Sequence, residues 1–313
     1  MTQILLELSF IMDKRKDGIA LFITLMVIAS IMSIIAVSFS YLEKVQKDAG
    51  ATSAIIQGDL LYKNTTTVLK RFFPAGKDNS EKLKLIYTMP LMLSEPTSGF
   101  SLNLSCKPLI TGVPISWLEK KPAWNQIEKT NLAKDVLAKV MELYEIEEAN
   151  SLEELIMKEF SNQSNQNNDY QPRVLTQKGI NSRHQFDRII MNYRLLYDDP
   201  KVLLVPWERY FAFVQVDKGT NIDGVYLTPE FISVAFDTPV EIVQDSWIVG
   251  ESTLVSFLKE NAIIAPVNKM IYSKKALSAM HCEQTYAYRD GQYKFNFDYI
   301  EGRSGNFEFN GKE

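Results

Sequence analysis

The spacing of apolar residues changes several times along this 313-residue chain, and each change marks an element. From Ile19 to Leu42 the sequence reads IALFITLMVIASIMSIIAVSFSYL, with no charged residue. A bilayer core of about 30 Å takes about 20 apolar residues of helix, so this stretch predicts one membrane crossing. Beyond it, Val45, Ala49, Ile56, Leu60, Val68 and Phe72 recur at intervals suited to one helical face, and the helix is expected to continue to Phe73. Pro74-Ala75-Gly76 stops it. Gly50 and Gly58 each cost about 1 kcal/mol against alanine, and the β-branched run Thr65-Thr66-Thr67 weakens helix locally. Counted from Ile19 to Phe73, such a helix is about 80 Å long.

Residues 77–115 carry four prolines, and Leu83 to Leu93 and Gly99 to Leu104 read as short strands or loops. Helical spacing returns from Trp117 to Phe160, through Leu132, Val136, Leu137, Val140, Met141 and Tyr144. Within that block Ser151-Leu152-Glu153-Glu154 has the form of a capping box, which predicts a helix starting at Ser151. The polar run at residues 161–168 predicts an exposed loop. A second helical block covers Ser182–Tyr197, with Phe186, Ile189, Ile190, Tyr193 and Leu196 on one face. Tyr210 to Val216 alternates like a strand, and 253–261 is a short helix candidate. Thr228 followed by Pro229 predicts a capped helix start. The final segments YAY, YKFNFDY and NFEFN alternate with period two between Gly-containing connectors, which predicts an antiparallel meander.

Composition narrows the function classes. Lys and Arg number 34 against 38 Asp and Glu, so the net charge of -4 gives no electrostatic basis for nucleic-acid binding. Hydrophobic residues make up 46% of the chain, which excludes wholesale disorder. No HExxH, GxSxG or phosphate-loop pattern is present, and His184 and His281 fall in different predicted domains, so no enzymatic activity is expected. Asp290, Asp298 and Glu301 read as turn and surface positions.

Lys14, Arg15 and Lys16 precede the apolar run, while Glu43, Lys44, Lys47 and Asp48 after it cancel. Residues 1–18 are therefore expected in the cytoplasm and the rest of the chain beyond the membrane. A cleaved secretory signal would have an apolar core of about 7–15 residues, shorter than this one. The junction Lys14-Arg15-Lys16-Asp17-Gly18, followed directly by Ile19-Ala20-Leu21, resembles the class III signal of type IV pilins and type II secretion pseudopilins. The resemblance implies cleavage by a prepilin peptidase between Gly18 and Ile19, and methylation of Ile19. Initiation at Met12 would leave a shorter leader than initiation at Met1.

Most members of that family have Glu as the fifth mature residue, where this chain has Ile23. A carboxylate in the membrane persists only with a partner. Its absence resembles the minor pseudopilin of the K type, which caps the tip and has no subunit ahead of it. The same subunit carries a helical insertion, and Ser151-Leu152-Glu153-Glu154-Leu155 is similar to a short stretch within it.

The resemblance implies an α+β, pilin-like fold: a leader at 1–18, an N-terminal helix at 19–73 with the transmembrane segment at 19–42, an antiparallel β head from 74–115 and 265–313, and a mostly helical insertion at 116–264. It implies a non-enzymatic role in starting and capping a type II secretion pseudopilus. Partners would be minor pseudopilins of the I and J types, the prepilin peptidase and the inner membrane, with the head in the periplasm. Ala29, Ser30 and Ser33 permit close helix approach in such an assembly. The family also implies calcium, which takes 6–8 oxygen ligands, although no EF-hand pattern exists here to supply them. In that compartment disulfides are permitted, and Cys106 and Cys282 flank the insertion. They are expected either to bridge, clamping its two ends, or to remain two buried free thiols. The alternatives are an uncleaved single-pass protein with a periplasmic ligand- or partner-binding domain, or a type IV pilus minor pilin.

Overall fold

A computed structural model describes residues 2–95, 100–118, 127–162, 179–217, 219–288 and 291–312, in two units, Met1–Leu60 and Leu61–Glu313. The first unit is helix α1 (Thr2–Phe72), which passes on to supply its last turns to the second. Its stretch Leu25–Leu42 is long and apolar enough to cross a membrane. The hydroxyls of Ser30, Ser33 and Ser38 donate to the carbonyls of Met26, Ala29 and Ile34, each at 2.8 Å. These hydroxyls are thereby satisfied by the helix's own backbone.

The second unit is built on a five-stranded antiparallel sheet. Its strands are β1 (Leu91–Glu95), β2 (Phe100–Pro108), β5 (Ala279–Tyr288), β6 (Gly291–Ile300) and β7 (Arg303–Lys312), in the order β1-β2-β5-β6-β7. Period-two alternation gives the sheet one apolar face: Leu102 and Leu104 pair with Tyr286 and Gln284, which pair in turn with Tyr293 and Phe295. Leu61, Tyr62, Leu69 and the following Phe73 pack on that face, with Tyr62 edge-on to Phe297 at 5.3 Å. Thr65 donates to Gln284 Oε1 at 2.8 Å, and the Tyr299 hydroxyl to the Phe73 carbonyl at 3.2 Å. The β6–β7 turn is Glu301-Gly302, both with positive φ, a geometry that asks for glycine at the second position.

Most of the described residues between β2 and β5 form the insertion; Val225, Tyr226 and Ala276 pack with the head instead. The insertion holds a two-residue parallel pair, β3 (Val113–Pro114) with β4 (Phe211–Ala212), and six α-helices among the described residues. These are α3 (Ile127–Leu143), α4 (Ala149–Asn162), α5 (Arg183–Tyr197), α6 (Pro229–Ala235), α7 (Val240–Ser246) and α8 (Leu254–Glu260). Val136 and Val140 of α3, Ile156 of α4, Phe186 and Tyr193 of α5 and Trp207 share one core, which reaches from Val113 to Tyr272. Thr228 caps α6 by accepting the Phe231 amide, with Pro229 at the first helical position.

Several expectations are corrected. Residues Ser80–Thr88 form helix α2, because Leu83, Ile86 and Tyr87, three and four apart, all turn onto the head core. Ser151 lies inside α4, which begins at Ala149, and caps nothing. The helical stretch read from Trp117 to Phe160 divides into α3 and α4 at Tyr144–Glu148, where Glu145 adopts positive φ, just ahead of the start expected at Ser151. The strand expected at Tyr210–Val216 shrinks to Phe211–Ala212, since its partner ends at Pro114, which lacks an amide. Leu196 is exposed, unlike the other apolar residues predicted with it on α5. Val225 and Tyr226, predicted in the insertion, belong to the head core. The loop predicted at 161–168 lies outside the described residues from 163 onward, as do Arg289 and Asp290.

Candidate functional site

Gly18, Ile19 and Ile23 fall within the backbone of α1, and their side chains lie outside the described ones. The sites that can be built from side chains are all in the second unit.

Cys106 and Cys282 stand opposite each other on β2 and β5, with Cα atoms 4.1 Å apart, and are joined as a disulfide. Both sulfurs are buried on the apolar face of the sheet. The bond closes a segment with a sequence separation of 176, which contains the whole insertion.

A second junction lies at 222–228, where several chain segments converge. Ile222 takes the Ser273 amide and gives its own to Ile271, the Thr228 amide reaches Thr111, and Leu254 donates to Gly224. A Cβ on Gly224 would stand 2.1 Å from the Ser273 carbonyl oxygen, so this approach requires glycine. At its centre is Asp223, 2% exposed. One carboxylate oxygen accepts the Val225 and Tyr226 amides at 2.8 and 3.2 Å; the other accepts the Leu277 amide at 2.9 Å. Burial pushes the carboxyl up to about 7, against the three amides that favour its charge, and Glu301 adds repulsion. Tyr87 of α2 packs edge-on against Tyr226 and donates to the Ala279 carbonyl at 3.1 Å.

The third feature is a cleft of about 740 Å³ between the start of α5 and the polar face of the sheet, lined among others by Lys107, Arg183, His184, Glu208, His281 and Asp298. The two histidines expected in separate domains thus face one space. Asp298, expected at the surface, is buried: its oxygens hold His281 Nδ1 and Asn306 Nδ2, each at 2.7 Å. Strand register places Lys107, His281 and Asp298 side by side on β2, β5 and β6, a long-range pairing that local spacing does not encode. Arg183 is held by Asp187 and Glu208, at 2.7 and 2.5 Å. Among the described residues the His281 ring has no hydrogen-bond partner other than Asp298.

No cluster of three His, Cys, Asp or Glu side chains that could hold a metal ion occurs among the described residues. Asp298 is engaged as above, and Glu301 accepts the Ser278 amide at 3.0 Å. The described side chains therefore do not fit the calcium site that the family resemblance implies.

The chain is an α+β protein with an apolar N-terminal helix, an antiparallel sheet packed on that helix's last turns, and a helical insertion between two neighbouring strands. No protein-family profile matches it. No curated protein matches it either. Among solved structures, it is similar to a chain of "The Crystal Structure of the GspK-GspI-GspJ complex from enterotoxigenic Escherichia coli Type 2 Secretion System". The alignment covers 84% of this chain and 97% of that one, with a TM-score of 0.46 and 13% sequence identity.

Proposed function

We propose that this chain is a minor pseudopilin of the K type, acting without catalysis at the tip of a type II secretion pseudopilus. The observation that carries the reading is one of chain order. A charge–glycine–hydrophobe junction opens an apolar helix, the same helix ends as the packing partner of an antiparallel sheet, and a helical insertion separates β2 from β5. In this role Gly18 permits cleavage, Ile19 becomes the methylated N-terminus, and the apolar helix holds the subunit in the inner membrane before packing in the filament. The head stands in the periplasm, where Cys106 and Cys282 can oxidise. Ile23, in place of the usual Glu, removes the carboxylate that would neutralise a preceding subunit's terminal amine, a contact a tip subunit lacks. The insertion allows subunits to add beneath the head and blocks addition above it. Minor pseudopilins of the I and J types are the partners this reading implies.

Intact-mass and N-terminal analysis of membrane-extracted protein, made with and without a prepilin peptidase, tests the reading. A methylated Ile19 terminus only in the presence of the peptidase is expected. An unprocessed terminus at Met1 or Met12 in both samples would leave an uncleaved single-pass membrane protein and overturn the assignment.

A further inference from the structure

The sheet's two outer strands are finished differently. β7 carries Arg303 and Glu308, and its register against β6 slips twice, between Lys294 and Phe295 and between Asn296 and Asp298. Charge and bulges of this kind discourage an outer strand from pairing further. β1 pairs with β2 without a slip and has no charge from Leu91 to Ser94. Leu91, Met92 and Leu93 are 49%, 73% and 55% exposed. No described strand lies on its outer side.

Which main-chain groups face outward follows from the register. The 4.1 Å Cα separation of Cys106 and Cys282 marks a close pair, the kind that exchanges no backbone hydrogen bonds. Leu104 and Leu102, in the same phase of β2, therefore turn their amides and carbonyls toward β1, where they meet Leu91 and Leu93. Met92 and Ser94 then turn theirs to the open side. Pro90 continues that outward phase, and its missing amide there limits the open ladder to a short run.

We propose that the β1 edge accepts one short, uncharged, extended strand of a partner protein, paired through the main-chain groups of Met92 and Ser94. Main-chain groups without a partner among the described residues specify an extended occupant, because helices satisfy their own. Exposed Leu91, Met92 and Leu93 specify uncharged side chains on either face of that occupant. The inference does not depend on leader processing, and either can fail alone.

The test places the photo-crosslinking residue p-benzoylphenylalanine at Met92, and separately at Glu308 on β7, in full-length protein in the cells that make it. Adducts are mapped to single residues by mass spectrometry. The expected result is an adduct from Met92 to an uncharged extended segment of one partner, and none from Glu308. Ser94→Pro removes an outward amide and leaves the β1–β2 bonds intact; it should lower the adduct yield by about tenfold or more, with the Tm of the detergent-solubilised chain unchanged. If Ser94→Pro fails to fold, Leu93→Lys, which charges the edge without altering the backbone, is read the same way. No adduct at Met92, a yield unchanged by both variants, or an adduct to a helix, a charged segment or a second copy of this chain would overturn the proposal.

Discussion

Asp223 reaches across 54 residues to accept the Leu277 amide at 2.9 Å, tying the middle of the insertion to the chain as it enters β5. Held at about 7 in the folded chain against 3.8 for an ordinary aspartate, the carboxyl keeps its proton while the unfolded chain loses it. Between those two values the folded state holds the extra proton. This group's contribution to stability is therefore fully present below about pH 4, falls as pH rises through about 7, and is level above that. Asp223→Asn removes the titration and sets an amide N–H₂ against one of the backbone donors. It should cost about 1–3 kcal/mol at pH 5, with the difference from the native chain narrowing toward pH 8. Thermal unfolding of both proteins across that range measures it; a constant gap would show that Asp223 does not titrate there.

The Cys106–Cys282 bond closes its long loop at the base of the insertion. On the chain-entropy model such a loop is worth about 5 kcal/mol. Replacing both cysteines by alanine should shift the urea midpoint downward by a corresponding amount, and a reductant should then have no further effect. An unshifted midpoint would mean that strand pairing alone holds the junction.

Gln284 is fully buried beneath α1, with Oε1 bonded to Thr65 and Nε2 without a partner among the described residues. A buried unpaired amide costs about 1–3 kcal/mol. The pair Thr65→Val with Gln284→Met should thus raise stability by about 1–2 kcal/mol, whereas Thr65→Val alone should lower it. A double-mutant cycle followed by denaturant unfolding separates the two effects.

Gly224 lets the Ser273 carbonyl approach where a side chain would collide. Gly224→Ala should destabilise by about 3 kcal/mol, lowering Tm by about 2–4 °C for each kcal/mol. An unchanged Tm would mean that the 222–228 segment can move away from Ser273 at no cost.

The legible parts of the fold share one property: their signal is local. The uncharged run Ile19–Leu42, the stop at Pro74, the α5 face from Phe186 to Tyr193 and the alternation of the last three strands can each be read from neighbouring residues. Helix α2 escaped because its apolar residues also suit a short strand, and only contact with the head core decides between the two periods. The Ser151 signature misled because a capping box needs a free helix start, and Glu148 already takes that place by accepting the Leu152 amide.

The site residues divide in the same way. Cys106 and Cys282 stood out in the sequence because they are the chain's two cysteines, but their opposition in register belongs to the sheet. Nothing in the residues beside Asp223 marks it as buried, and in the sequence Asp298 reads as a surface carboxylate. Their burial depends on amides and side chains from distant segments: Leu277 for one, His281 and Asn306 for the other. The sequence by itself determined that the chain opens with an apolar helix, ends in a meander and lacks recognisable catalytic motifs, because periodicity and composition act over a few residues. Only the tertiary structure decided which carboxylates are buried, that both histidines face one cleft and that β1 has no neighbouring strand on its outer side among the described residues. Those outcomes depend on strand order and on contacts between residues tens to hundreds of positions apart, which no local spacing encodes.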